Sequence, residues 1–390
     1  MTFVLQHGHG KSDKIEFVAE NTRVSSVVLS PTDENPENLG RTAKKIKESG
    51  IRPLIDPQTY LYTEGVNLFG RLHNEHGIDF RPIRWSQSPR DVESVIAAVT
   101  RMNDAAGVGD IIAPSILQPS FEDIWTPIGI QYARAAAEAW PGRRVYASVV
   151  FDEMAFAGWE QINNWMDEIT TIDVTGFYLL TNHRASIPYP ATMWDVDRLT
   201  NVLRMIYTLT EINDYQLIWG YSDLEGLLGV AAGATGVATG WYNSLRRFST
   251  NKWQPQSGGA QPIPRRFVTA LLSPLRLDGE ISAFPRDLAG FSPLNSTADA
   301  LFYDDIDDSE TWRRPLAQKH HLISIGELTN RLVDMPNPAA RLDALGSWLD
   351  NSIELFEALE KRYLVFEPSY INKLRILVAA LQRFRTAEGI

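Results

Sequence analysis

The stretch LIWGYSDLEGLLGVAAGATGVATGW, Leu217 to Trp241, decides the fold. It reads as an apolar strand, a short helix entered through Ser222-Asp223 and closed at Gly233, and a second strand of small residues. The last two units of a (β/α)8 barrel are written in this way. Upstream, short apolar runs recur between longer amphipathic ones. The runs are continuous rather than alternating, as strands buried on both faces require. They predict parallel strands at Phe3 to Gln6, Ser26 to Ser30, Pro53 to Asp56, Asp110 to Ala113, Arg144 to Phe151 and Thr175 to Leu180, ahead of Gln216 to Trp219 and Gly236 to Thr239. Helices are expected over 37–48, 91–105, 121–140, 158–172, 195–212 and 223–232. Eight strands joined by such crossovers within residues 1–240 match an α/β fold of the TIM-like (β/α)8 class, which needs about 200 to 250 residues. A doubly wound sheet with the same strands is the rival.

The organisation expected is a barrel over 1–247, a flexible linker or lid over 248–266, rich in Ser, Gly, Gln and Pro, and a mainly helical C-terminal region over 267–390. That region should hold helices at 324–334, 339–361 and 368–385. The last is amphipathic through Ile371, Leu374, Leu377 and Leu381, so it packs on something. The crossover 59–109 holds Tyr60, Tyr62, Phe69, His73, His76, Phe80 and Trp85, which suits a segment folded over the barrel mouth.

At 390 residues, 44% hydrophobic and 22% charged, the chain can bury a large core, which excludes a disordered or fibrous protein. The absence of cysteine removes disulfides, thiolate catalysis and Cys-ligated zinc or iron–sulfur sites. No apolar run is long enough to span a membrane, and MTFVLQHGHGKSDK lacks the basic-then-apolar pattern of a secretory signal, so a soluble cytoplasmic protein is expected. The net charge of −11 repels nucleic acid on average. It is uneven: residues 241–390 carry 18 basic and 18 acidic side chains, and residues 1–240 carry 19 and 30, the whole excess. Between Glu225 and Asp278 no acidic residue occurs, while Arg246, Arg247, Lys252, Arg265, Arg266 and Arg276 do.

Barrel chemistry sits at the C-terminal ends of the strands. There the sequence places Gln6, His7 and His9, then Asp56 and Gln58, Asp152 and Glu153, His183 and Arg184, Asp223, and Trp241. Asp56 ends an apolar strand just before Pro57, which favours extended geometry and aims the carboxylate at the mouth. Asp152 and Glu153 are adjacent, so only one can face a pocket. His7 and His9 could aim two imidazoles at one metal ion, with His183 and a carboxylate completing the site. Against this, the simpler reading takes His7 and His9 as exposed loop histidines, Asp223 as the N-cap of its helix, and His320 and His321 as surface residues. From Trp241 to Trp253 cations alternate with aromatics, a pattern that can hold phosphates and stack bases.

Several segments resemble the tRNA-guanine transglycosylase superfamily, barrels that exchange a guanine for a deazaguanine. Ser26-Val-Val-Leu-Ser30 is similar to that family's second strand, and Pro53-Leu-Ile-Asp56 to the strand ending in its base-pocket aspartate. Gly107 to Ile112, Leu217 to Gly226 and Gly233 to Arg247 are similar to its later strands. The strand-eight position of its nucleophilic Asp reads Ala238 or Thr239, and its three-Cys-one-His zinc site cannot form here. The resemblance therefore implies a divergent transglycosylase-like barrel that binds or modifies a nucleobase or nucleic acid, a type with relatives in bacterial and phage defence. It implies Asp56 and Asp152 as catalytic carboxylates. Gln6, Gln58, Arg184, Trp241, Arg246 and Arg247 would be ligand contacts. No cofactor is expected. Two alternatives stand beside it: a metal-dependent hydrolase using His7, His9 and His183, and an inactive barrel serving as a subunit of a larger assembly. Nucleic acid or a nucleobase is the partner expected at 241–266, and a protein the partner expected at the C-terminal helices.

Overall fold

The computed structural model describes residues 2–64, 69–79, 89–185, 187–192, 194–254, 264–284, 296–302, 312, 314–362 and 364–390. The acidic run Tyr303 to Glu310, the aromatics Phe80 and Trp85, and residues 255–263 of the expected linker lie outside the described residues. Eight strands pair in parallel: β1 (Phe3–Gln6), β2 (Ser26–Leu29), β3 (Arg52–Ile55), β4 (Ile111–Ile112), β5 (Val145–Asp152), β6 (Gly176–Asn182), β7 (Gln216–Trp219) and β8 (Gly236–Thr239). Their order is β3-β2-β1-β8-β7-β6-β5-β4. The first strand lies beside the last, with Phe3 opposite Val237, so the sheet rolls up and brings β3 and β4 together in a near-closed barrel. An open doubly wound sheet would not pair β1 with β8. Strands β1, β2 and β8 are buried along their whole length, inside by the barrel core and outside by helices, which is why their sequences are continuous apolar runs.

No backbone ladder joins β3 to β4. At the mouth the seam is stitched by a side chain instead. The Thr59 hydroxyl donates to the Ser115 carbonyl at 2.7 Å and accepts from the Ser115 amide at 2.9 Å.

The strands alternate with α1 (Lys14–Asn21), α2 (Pro36–Glu48), α3 (Phe69–Asn74), α4 (Pro89–Ala105), α5 (Thr126–Ala139), α6 (Trp159–Ile169), α7 (Val196–Tyr207) and α8 (Leu224–Ala231). Local chemistry sets their starts. Asn35 caps α2 by accepting from the Asn38 amide, with Pro36 in the first turn, and Asp195 caps α7 through the Arg198 amide. Leu39, Ala43 and Ile46 then form the buried stripe of α2.

After β8 the chain departs from a simple barrel. Residues 241–254 cross the mouth with single 3-10 turns at Asn243–Leu245 and Thr250–Trp253. A hairpin of β9 (Arg265–Val268) and β10 (Ser273–Arg276), absent from the sequence expectation, and α9 (Thr297–Leu301) follow. Helix α10 (Arg314–Val333) then packs against β1, α1 and α8. That is the berth of the barrel's eighth helix, so residues 241–313 form an insertion between β8 and its helix. The expected start at Ser324 is ten residues late, because the earlier turns carry His320 and His321, which are buried rather than on the surface. Helices α11 (Pro338–Glu360) and α12 (Pro368–Glu388) lie outside this ring, on α8 and α7 respectively. Among the described residues no helix is long and apolar enough to cross a membrane.

Helix α10 seats on β1 through Gly326, where an added Cβ would stand 2.9 Å from the Phe3 ring and 3.0 Å from Thr22. Gly326→Val is expected to lower stability by about 1–3 kcal/mol, the usual cost of overpacking a core. An unchanged urea midpoint would show that α10 can slide off β1.

Candidate functional site

Asp56 stands at the centre of the mouth and is fully buried. Its Oδ1 accepts from the Gln58 amide at 3.0 Å, and its Oδ2 from the hydroxyls of Tyr60 at 2.7 Å and Tyr178 at 3.4 Å. Gln58, in the left-handed region at φ 54°, turns its side chain back to accept from the Thr32 hydroxyl at 2.8 Å and donate to the Ser30 hydroxyl at 3.0 Å. The loops after β2 and β3 are thereby tied together. Gln6 accepts from the Tyr178 hydroxyl at 3.2 Å, and its own amide nitrogen has no partner. Burial pushes the Asp56 carboxyl up to about 6, against the pull of these donors and of Lys252.

The insertion roofs this cluster. The Phe248 carbonyl accepts from the His183 amide at 3.0 Å, the Thr250 amide donates to Asn182 at 3.0 Å, and the Trp253 indole donates to Thr32 at 3.3 Å. Phe248 packs edge-on against Tyr60 at 5.2 Å. Lys252 points inward, 3.7 Å from the Asp33 carboxylate and 4.4 Å from the Trp253 ring centre, without a hydrogen bond. Burial lowers its pKa, with Asp33 and Asp56 opposing. The expected position of Asp56 at the mouth is thus what the structure shows, but the mouth is closed above it.

The other candidates scatter. Asp152 accepts from Asn182 at 2.6 Å and Arg184 at 2.8 Å, and makes no helix-cap bond. Its neighbour Glu153 turns to His183 and to Arg198. The histidines do not converge: His7 faces the Ser30 amide and Glu34, His9 stacks on Tyr242 at 4.6 Å, and His183 sits on Glu153. Among the described residues no group of three or more His, Asp or Glu could hold a metal ion. Arg247 donates to the carbonyls of Ile187 and Ala191, both at 2.7 Å, and so ties down the loop after β6.

A cleft that opens to solvent lies beside the mouth. A cleft of about 550 Å³ separates the loop after β8 from the hairpin and α10. Trp241, Tyr242 and Tyr189 give it aromatic walls, Arg246, Arg265 and Arg314 line it, and no carboxylate does among the described residues. Arg246 is held in place by the carbonyls of Gly240 at 3.0 Å and Trp241 at 3.4 Å. The Trp241 indole donates to the His9 carbonyl at 2.8 Å. Arg265 is anchored by Glu367 at 3.0 Å.

His321 completes the wall. Its Nε2 meets the Asp223 carboxylate at 2.8 Å, and the Tyr189 hydroxyl donates to the other Asp223 oxygen at 3.0 Å. Asp223 does hold the N-cap position of α8, as expected, but its side chain makes no cap bond and turns to His321 and Tyr189 instead. Burial works against its ionised form, but the His321 ring, Arg246 and Lys373 hold the carboxyl below the ordinary range. Burial and then the Arg246 charge bring His321 down to about 4, so the ring is neutral at pH 7. Sequence reasoning missed this pair because its members are 98 residues apart. The signals that reach the cleft are the acid-free stretch 226–277, which supplies most of the lining, and within it the cations and aromatics that begin at Trp241.

The chain is a TIM-barrel protein. No protein-family model matches its sequence, and no curated protein does. Among solved structures it is similar to a thiamine phosphate pyrophosphorylase from Pyrococcus furiosus, at 10% identity and TM-score 0.33 over 64% of this chain and 92% of that one. It is also similar to the 3-dehydroquinate dehydratase from Aquifex aeolicus VF5, at 10% identity and TM-score 0.33 over 65% and 95%. A GH18 chitinase from Pseudoalteromonas aurantia follows at 10% identity and TM-score 0.36 over 61% and 93%. These are barrel enzymes of different kinds and single out no superfamily.

Proposed function

We propose that this barrel binds a nucleobase-bearing phosphate in the cleft between the loop after β8 and α10, as a divergent relative of the base-exchange barrels. The observation that carries the reading is the lining itself: among the described residues it holds three arginines, three aromatic rings and no carboxylate, in a chain of net charge −11. An arginine fork suits phosphate oxygens, and an aromatic wall suits a base. A volume of about 550 Å³ falls within the usual range for small-molecule sites, and the overall negative charge disfavours a long polyanion. The ligand class is therefore a mononucleotide or one nucleotide of a single strand. In this reading Arg246 and Trp241 keep their expected roles, Arg265 and Arg314 join them, and Asp56 meets the base only when the roof 248–254 lifts.

Titration of nucleoside 5′-monophosphates and a short single-stranded oligonucleotide, at two salt concentrations, tests this. Binding should weaken with salt, and Arg314→Ala should cost about tenfold or more, the worth of one charged hydrogen bond. No binding at low salt, or an unaffected Arg314→Ala, rejects the reading. The closed roof favours a second reading, an inactive barrel acting as a subunit, which a stable complex without nucleotide affinity would support.

A further inference from the structure

We infer that His321, oriented by Asp223, is the residue that reads the phosphate in this cleft, by taking up a proton and donating it in a hydrogen bond from Nδ1. The inference rests on the nucleotide reading above and assigns that site its phosphate contact and its ligand's protonation chemistry. Asp223 accepts at Nε2, which places the ring proton there and leaves the Nδ1 lone pair as the free edge of a residue that lines the cleft. That edge has no hydrogen bond to the protein among the described residues.

The surroundings of the ring decide its charge. From the barrel come Asp223, which favours the imidazolium, and Arg246, which opposes it. From β9, the Phe267 ring stands edge-on at 5.4 Å and adds no charge. On α10 itself, His320 opposes charging slightly and is turned to Asp299 at 2.9 Å. Lys373 acts on Asp223 rather than on the ring. Arg265 and Arg314 are the further charged groups that line the cleft among the described residues. Without a ligand, burial and Arg246 keep His321 neutral. A phosphate dianion beside Arg246 cancels that repulsion and adds an attraction, so the ring becomes basic when the ligand arrives. A dianionic ligand then binds with one proton taken from solvent. A monoanionic one transfers its own proton to Nδ1 and ends as the same dianion–imidazolium pair. Because Asp223 already holds the ring, the new charge appears in a prepared geometry and the pair gains strength as it is desolvated.

Calorimetric titration of the full chain with adenosine 5′-monophosphate, in buffers of different ionisation enthalpy, counts the protons. At pH 7, where the ligand is mostly a dianion, protons should be taken up, at most one per ligand, and affinity should fall with rising pH, by no more than tenfold per unit, up to the pH at which the ring in the complex releases its proton. His321→Gln, checked for folding by its thermal transition, should still bind, with lower affinity and no uptake. Sulfate, which stays a dianion, should compete with the nucleotide and show the same uptake. Binding with no proton uptake by the parent chain overturns this inference and leaves the nucleotide reading standing. No binding of either anion overturns both. The parent measurement decides the matter even if the variant fails to fold.

Discussion

Replacing Asp56 by Asn is expected to raise stability at pH 7 by about 3 kcal/mol and to flatten the pH dependence of unfolding between pH 4 and 6. The carboxyl is fully buried, and burial lifts it from 3.8 to about 6 despite the Tyr60, Gln58 and Tyr178 donors. The folded chain thus keeps a proton that the unfolded chain releases. The stabilisation from that proton is complete below about pH 4 and is lost as pH rises through about 6. A shift of about two units, at 1.36 kcal/mol each, gives the figure. Asn keeps the acceptor for the Gln58 amide and never ionises. Urea unfolding at pH 4, 5, 6 and 7 measures the difference. An Asn variant less stable than the parent at pH 7 would show that Lys252 compensates the Asp56 charge in place. If the same variant binds nucleotide normally, the base does not reach Asp56.

Ending the chain at Gln254 is expected to abolish the folded state, although all eight strands are then present. The deletion removes α10, which buries Leu322, Ile323, Ile325, Leu328 and Leu332 against β1, α1 and α8. Five such side chains are worth roughly 7 to 15 kcal/mol, about the whole stability of a typical domain. It also strands Asp223 and Glu225 without His321 and Lys373, their buried partners at 2.8 and 3.0 Å. Aggregation, or the loss of a cooperative thermal transition, is the expected outcome. A soluble fragment with a sharp transition would mean that the strands and α1 to α8 are a domain by themselves.

The strands were legible because both faces of each are covered, which leaves an unbroken apolar run in the sequence. Three of them, β1, β7 and β8, fall at the expected residues. Asp56 was legible for the same reason: it is the polar residue that stops such a run. What periodicity could not show was anything built from distant segments. His320 and His321 look like surface polarity in sequence, yet each is buried against a carboxylate, Asp299 or Asp223. Arg246 and Arg247 are neighbours of one chemistry, but backbone carbonyls fix the first at the cleft and the second on a loop. The roof over Asp56 comes from a segment that reads as linker, since its anchors, Asn182, Thr32 and the His183 amide, lie far upstream.

The berth of α10 also bears on how the chain is made. Of the eight barrel strands β1 is made before the others, yet two of its neighbours are β8, with Phe3 opposite Val237, and the helix that carries Gly326. At about 5 to 20 residues per second, β1 waits on the order of tens of seconds for its last partner. Until β8 is made its apolar residues have only β2 and α1 to pack on, and the final contacts, with the helix of Gly326, close a loop of more than 300 residues. Folding dominated by such distant pairings is slow and leaves unpaired edges open to other chains. The barrel is therefore a late-closing fold, and the yield of native protein should depend on what shields β1 until residue 333 has been synthesised.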